Sequence, residues 1–179
     1  MSTQSSGFRL FWTEFRDNKV ALFALVVVIL MIFLALFASL ISPQNPYDLA
    51  NLSLMDSRRP PGFVGSGGYT HVLGTDPQGR DLLSAIFYGL RISIQIGLAA
   101  GFVSLTIGTA LGIAAAYLGG RVEALIMRLV DLQLSFPAIL LALVIVALLG
   151  QGKVQLIGAL VAAQYAYFAR TAYGAAKAE

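Results

Sequence analysis

VALFALVVVILMIFLALFASLI, residues 20–41, is a run of 22 residues without a charged side chain. At a rise of about 1.5 Å per residue, an α-helix of this length covers about 33 Å, enough to cross the ~30 Å hydrocarbon core of a bilayer. The whole chain agrees with a membrane location, because 58% of its 179 residues are apolar, only 12% are charged and the mean hydropathy is +0.78. The sequence therefore predicts an all-α integral membrane protein.

The composition also argues against several classes of function. There is no cysteine, so thiolate chemistry and disulfides are unavailable, and the net charge of +3 is spread along the chain without the basic patch that nucleic acids require. His71 is the only histidine, and we expect it to be solvated in a loop rather than to bind a metal. The segment GQGK (150–153) lacks the Ser or Thr that a nucleotide-binding loop needs next. We therefore expect no enzyme activity, cofactor, metal or nucleic-acid partner.

Residues 1–19, before the first span, are predicted to form a cytoplasmic interfacial helix. Aromatic and basic side chains alternate there at helical spacing, and both kinds favour the headgroup zone. The basic residues place the N-terminus in the cytoplasm. A cleaved signal peptide is the alternative, but the apolar run is too long for one and further spans follow. The residues concerned are Phe8, Arg9, Phe11, Trp12, Phe15, Arg16 and Lys19.

Residues 92–179 are predicted to form a transmembrane core with three further spans, at about 92–118, 132–149 and 154–172, which makes four spans in all. Small residues in the second span fall in one narrow sector of a helical wheel, which predicts close packing against another helix. The alternative is that membrane helices simply tolerate glycine. The members of this small-residue stripe are Gly97, Gly101, Ser104, Gly108 and Gly112.

The third and fourth spans carry the remaining candidate residues of the core. Arg128 and Asp131 are three residues apart and are predicted to offset each other at the cytoplasmic interface. Pro137 predicts a kink, which is either an ordinary proline kink or a hinge. Polar residues in the fourth span share one sector, where they would either line a passage or bond to neighbouring helices. These three residues are Gln164, Tyr167 and Thr171.

Residues 42–91 are predicted to form a periplasmic loop, because their first part is rich in Pro, Gly, Ser, Asn and Asp. Thr75 to Gln78 fits a T-x-x-Q capping box with Pro77 in the first turn, which predicts that a helix begins there. The apolar residues that follow share one face. We expect an amphipathic helix on the membrane surface that turns at Gly89 into the second span.

Four segments carry a resemblance to a known family. They are FWTEFRDNKVALFALVVVIL, NPYDL, HVLGTDPQGRDLLSAIFYGLRISIQIG and MRLVDLQLSFPAILLALVIVALLG. They resemble the second of the two inner-membrane permease subunits of bacterial ABC importers for dipeptides, oligopeptides and nickel. The most specific piece is LGTDxxGRDxxSxxxYGxRxS, and its signature residues here are Gly74, Thr75, Asp76, Gly79, Arg80, Asp81 and Arg91.

The resemblance implies a subunit of a binding-protein-dependent importer in the bacterial inner membrane. Its partners would be a second permease subunit, two cytoplasmic ATPase subunits, a periplasmic solute-binding protein and the lipid bilayer. The cargo would be di- or oligopeptides or related solutes such as nickel complexes or glutathione. The resemblance also implies that the C-terminal part of the permease is absent, including its cytoplasmic coupling loop. The alternative is a small membrane protein that does not transport, either one that regulates or assists assembly or a truncated fragment.

Overall fold

The first apolar run forms helix α2, and Asn18 determines where it begins. In the computed structural model, which describes residues 7–48, 50, 52–150 and 152–178, Asn18 Oδ1 accepts the N–H groups of Val20 and Ala21 at 3.0 and 3.1 Å. This N-cap satisfies two donors that the helix itself leaves unpaired. A break at Phe37 divides the predicted span 20–41 into α2 and one further helical turn, α3.

Most of the described residues are helical, and the only strands among them form a two-stranded antiparallel hairpin. The chain divides into two compact units, residues up to 94 and residues from 95 onward, with α4 running from one into the other. Residues 1–6 of the predicted N-terminal segment, residues 49 and 51 of the predicted loop, and Gln151 and Glu179 of the predicted core lie outside the described residues. The elements are α1 (Gly7–Asp17), α2 (Lys19–Leu36), α3 (Ala38–Ile41), β1 (Phe63–Val64), β2 (Thr70–His71), α4 (Leu82–Leu118), α5 (Gly120–Ser135), α6 (Ala138–Leu149) and α7 (Lys153–Ala178).

Helix α4 is continuous over 37 residues, about 55 Å at 1.5 Å per residue. The prediction of a separate amphipathic helix that turns at Gly89 was therefore wrong. A glycine inside a helix costs only about 1 kcal/mol relative to alanine, and no proline lies between Leu82 and Leu118 to enforce a break.

The third predicted span is interrupted. Helix α5 ends at Ser135, Phe136 is extended with ψ 140°, and α6 resumes after Pro137 with its axis bent by 90°. Helix α6 alone has 12 residues, about 18 Å, which is shorter than the hydrocarbon core of a bilayer. Among the described residues, α2 and α4 are long and apolar enough to cross a membrane, and the bent α5–α6 pair makes a third candidate. Helix α7, which contains the fourth predicted span, is long enough to cross a membrane, but it is more polar than α2 and α4 and is not among these candidates.

The core of the second unit lies where α4, α5 and α7 meet. Gly108 and Gly112 of α4 approach Tyr165 and Ala169 of α7 in ascending order along both helices, so α4 and α7 are parallel. Contacts of α5 with α7 run in the opposite order, so those two helices are antiparallel. The buried side chains at the centre are Ala115, Met127, Val130, Ala166 and Ala169.

Candidate functional site: the α3–α4 loop and the polar face of α7

A buried histidine–aspartate pair lies in the loop between α3 and α4, residues 42–81, called the α3–α4 loop below. His71 is 1% exposed and Asp81 is fully buried, and His71 Nδ1 lies 3.0 Å from Asp81 Oδ1. The expectation of a solvated histidine was therefore wrong. Phe63 and Tyr69 on the hairpin enclose the ring, with ring centroids 6.4 and 5.0 Å away. Tyr69, two residues before the lone histidine and therefore on the same face of an extended segment, was the available sequence signal for burial.

Asp81 also fixes the start of α4. Its second carboxylate oxygen accepts the N–H of Ser84 at 2.7 Å, which is the N-cap geometry, and its own N–H is donated to Gln44 Oε1 at 2.8 Å. One buried carboxylate thus joins the hairpin to the first turn of α4, while its backbone joins both to the segment that follows α3. The Thr75 capping box was wrong, since α4 begins seven residues later, at Leu82.

Thr75 instead joins two distant parts of the loop. Its hydroxyl donates to the backbone carbonyl of Asp56 and accepts the N–H of Arg59 at 2.8 Å. The Asp56 carboxylate accepts the hydroxyl and the N–H of Ser66 at 2.6 and 2.9 Å. These Ser66 hydrogen bonds, with the charges of His71 and Arg59, hold the pKa of Asp56 below its ordinary value of 3.8 although burial opposes the shift.

Asp76 and Arg80 close the turn that precedes α4. Asp76 Oδ1 accepts the N–H groups of Gln78 and Arg80 at 2.8 and 2.9 Å, and Oδ2 accepts Arg80 Nε at 2.8 Å. Burial would raise the pKa of Asp76, but these hydrogen bonds and the guanidinium charge outweigh it and lower the pKa. Of the remaining signature residues, Gly74 and Gly79 are buried in the loop with φ +80° and +76°, and Arg91 lies partly exposed in α4. The signature carboxylates therefore hold the loop together through hydrogen bonds.

We predict that acid loosens this loop. Because the folded-state pKa values of Asp56 and Asp76 are depressed, the unfolded loop binds more protons near pH 4, and stability rises with pH. The stabilisation is present above the ordinary carboxyl pKa and is lost as pH falls through the folded-state values. The amide NMR signal of Ser66 should move toward its random-coil position below about pH 4. Asp56→Asn should flatten this dependence, and an acid-insensitive wild-type signal would contradict the prediction.

The three polar residues predicted on the fourth span lie together on the exposed side of α7. Gln164, Tyr167 and Thr171 are all exposed in this chain, and the Thr171 hydroxyl donates to the Tyr167 carbonyl at 2.9 Å. The opposite side of α7 is a buried row of small residues: Ala159, Ala163, Ala166 and Ala169. Gln164 also borders a cavity of about 290 Å³ between α6 and α7, whose other lining residues are apolar.

The small-residue stripe of α4 is in contact with α7 over only half its length. A Cβ at Gly108 would overlap the Tyr165 carbonyl oxygen, and one at Gly112 would overlap that of Ala169. Ser104, one turn earlier, is fully buried. Gly97 and Gly101 have open space where a Cβ would lie. The structure therefore brings the C-terminal half of the stripe against a helix and leaves the N-terminal half open in this chain.

Polar contacts that the sequence analysis missed connect α5 to α7. Asp131 pairs with Arg170 at 3.0 Å rather than with Arg128, because helix packing places a residue 39 positions away closer than the residue one turn away. Gln133 Nε2 donates to the carbonyl of Ala162 at 2.8 Å. Glu123 accepts hydrogen bonds from Tyr173 and Lys177, which lie one turn apart on α7. The i, i+4 spacing of Tyr173 and Lys177 was the local sequence pattern that could have indicated a shared partner.

No group of three or more metal-ligating side chains occurs within residues 7–48, 50, 52–150 and 152–178. His71 Nδ1 and the carboxylates of Asp56, Asp76 and Asp81 form hydrogen bonds within the chain, whereas His71 Nε2 is buried without a hydrogen-bond partner in the part of the chain that the structure describes. The described residues therefore form a hydrogen-bonded loop between two candidate spans. They also form a polar strip on α7, made of Gln164, Tyr167 and Thr171.

Comparison with known proteins identifies the family. Residues 6–61 match the family described as the N-terminal TM domain of oligopeptide transport permease C, and residues 108–178 match the binding-protein-dependent transport system inner membrane component. The di/tripeptide transport system permease protein DppC of Pseudomonas aeruginosa is 41% identical over 149 residues, 83% of this chain and 48% of the relative. The glutathione transport system permease protein GsiD of Pectobacterium atrosepticum is 35% identical over 169 residues, 93% of this chain and 52% of the relative.

A third relative is the dipeptide transport system permease protein DppC of Escherichia coli K12, which is 39% identical over 140 residues, 78% of this chain and 46% of the relative. The chain spans about half the length of the curated relatives it matches. The fold is that of an α-helical membrane protein with a structured loop between its candidate spans. The chain belongs to the permease family of binding-protein-dependent transport systems, in the group of the dipeptide and oligopeptide permease C proteins.

Proposed function

We propose that the chain acts as a transmembrane permease subunit of a binding-protein-dependent ABC importer and forms part of the path for peptides or related small solutes. The observation that carries this proposal is that two separate parts of the chain, 6–61 and 108–178, match permease families in the order expected for one such subunit. The hydrogen-bonded signature loop lies between them. ATP hydrolysis would take place in a separate partner.

The proposed topology places the N-terminus in the cytoplasm of a bacterial inner membrane. Residues 1–19 then lie at the cytoplasmic surface, residues 20–41 cross outward and the α3–α4 loop is periplasmic. The core, 92–179, would cross at 92–118, 132–149 and 154–172. This topology requires α4 and α7 to run in one direction and α5 in the other, and the helix directions described above support it.

Within this function, the exposed polar residues of α7 are proposed to line the solute path. Gln164, Tyr167 and Thr171 lie on one side of a helix that is otherwise packed through alanine, and polar side chains in a span usually face protein or water. The stripe from Gly97 to Gly112 is proposed to pack helices closely. The partners would be a second permease, two ATPase subunits and a periplasmic solute-binding protein.

Affinity purification from native membranes tests the function. We expect a tagged chain, extracted in mild detergent, to retain a second permease and an ATPase whose activity rises when peptide-loaded binding protein is added. A control purification of an unrelated tagged membrane protein of similar size should retain neither. Recovery of the chain with other membrane proteins but without an ATPase would reject the importer and favour the regulatory alternative.

A variant separates the proposed path from the assembly. Tyr167→Ala should lower peptide uptake severalfold while the ATPase remains bound, because Tyr167 is 55% exposed and substitutions of exposed side chains usually change stability little. Tyr117→Ala is the matched control, since Tyr117 is 87% exposed on α4 and lies outside the polar strip. Equal uptake by both variants would remove Tyr167 from the path.

A further inference from the structure

Charges on α5 are sorted between its two sides. Both of its acids are used by cations of α7: Glu123 pairs with Lys177 at 3.1 Å and Asp131 with Arg170 at 3.0 Å. The two arginines of α5, Arg121 and Arg128, are both exposed, and among the described residues neither forms an ion pair. The side of α5 turned away from α7 is therefore positively charged.

The two arginines share this side with exposed leucines. Positions 121, 125, 128 and 132 follow the i, i+4, i+7, i+11 spacing of one helical face, which gives the row Arg121, Leu125, Arg128 and Leu132. Leu125 is 63% and Leu132 is 56% exposed, while Met127 and Val130 on the opposite side are buried. A face that presents guanidinium groups and large apolar side chains together suits a molecule that is both anionic and apolar.

The proposed topology places this row at the depth of the lipid headgroups. Residues 92–118 of α4 measure about 40 Å as a helix, about 10 Å more than the hydrocarbon core. With Arg91 at the outer boundary, the excess extends from the cytoplasmic side, where α4 turns into α5. Arg121 and Arg128 are about 10 Å apart along α5, so both lie within this layer.

We propose that the row Arg121, Leu125, Arg128 and Leu132 binds an anionic phospholipid of the cytoplasmic leaflet. The arginines would contact the phosphate, and the leucines would contact the upper part of an acyl chain. A cavity of about 430 Å³ adjoins the row and is lined by Ala124, Met127, Arg128, Asp131, Leu132 and Ser135. Arg170 neutralises the one acid in that lining. The assignment rests on the membrane orientation in the proposed function.

Lipid retention measures this directly without any transport partner. The chain is reconstituted in nanodiscs of phosphatidylcholine and phosphatidylglycerol at four to one, extracted in mild detergent, and its bound lipids are counted by native mass spectrometry. We expect the ratio of bound phosphatidylglycerol to bound phosphatidylcholine to exceed the ratio of the two lipids in the disc at least about tenfold. Each arginine should contribute about fivefold, so Arg121→Gln with Arg128→Gln should return the bound lipid to the composition of the disc.

Three variants make the outcome decisive. Arg58→Gln removes the same charge from an exposed arginine of the α3–α4 loop and should keep the enrichment. Arg121→Lys with Arg128→Lys should keep most of it, and Arg128→Gln alone should lower it about fivefold. No enrichment in the wild type, or equal enrichment in the wild type and the double Gln variant, would overturn the lipid site. An equal loss in Arg58→Gln would also overturn it, and none of these results depends on whether an ATPase binds.

Discussion

Gly79→Ala should unfold the α3–α4 loop. Gly79 has φ +76°, a left-handed conformation that costs an L-residue about 1–2 kcal/mol. An added Cβ would overlap the carbonyl oxygen of Ser53 and come within 3.0 Å of its carbonyl carbon. Those are backbone atoms, so no side-chain rotation can relieve the overlap. We expect the free energy of unfolding of the loop to fall by about 4 kcal/mol or more. Faster trypsin cleavage after Arg58 and Arg80 would measure this loss.

Gly62→Ala separates backbone strain from overlap. Gly62 has φ +83°, but a Cβ there would have nothing within 4 Å. Gly62→Ala should lower the free energy of unfolding by only about 1–2 kcal/mol, which is the backbone strain alone. The trypsin cleavage rate should therefore stay close to that of the wild type. If Gly79→Ala resisted trypsin as well as Gly62→Ala, the close approach of residues 79 and 53 would not be required for the folded loop.

The sequence was informative where structure follows from short-range patterns. The uncharged run in α2 and the chain break beside Pro137 both depend on neighbouring residues, and both were predicted close to their observed positions. Most of the signature segment lies in a loop, as predicted, but the helix start predicted at Thr75 was wrong. Thr75 satisfies a local capping rule, yet its hydroxyl is used by residues 16 and 19 positions earlier. A pattern of four consecutive residues cannot detect that competition.

The same limit explains the other errors in the candidate site. His71 sits in a stretch rich in glycine, which suggests exposure, but the Phe63 and Tyr69 rings cover it once the hairpin forms. Asp131 has an arginine one turn away, but Arg170 reaches it across a helix interface. In both cases the deciding partner comes from tertiary packing. The sequence could therefore nominate polar residues for the site and could not assign their partners.

Gly108→Leu should disrupt the packing of α4 against α7. A Cβ at Gly108 would overlap the Tyr165 carbonyl oxygen and lie within 2.6 Å of Phe168 Cβ and 2.9 Å of the Ala169 backbone nitrogen. A leucine would force the two helices apart and expose the alanine row of α7. Alanine side chains are short, so they pack against α4 only when the two helices approach closely. We expect the free energy of unfolding to fall by about 4 kcal/mol or more. In detergent the variant should aggregate or show no cooperative melting transition.

Gly101→Leu is the matched control, with the same substitution two turns earlier in the same helix. A Cβ at Gly101 meets nothing within 4 Å, so the isolated chain should be unaffected or gain up to about 1 kcal/mol from better helix propensity. Equal stability of the two variants would reject close α4–α7 packing. Gly101→Leu also tests the proposed complex with a second permease, because the N-terminal half of the stripe is open in this chain. If it left the chain stable but prevented recovery of a second permease, this half of the stripe would pack against that subunit; normal recovery would leave only the half at Gly108 and Gly112 as a packing surface.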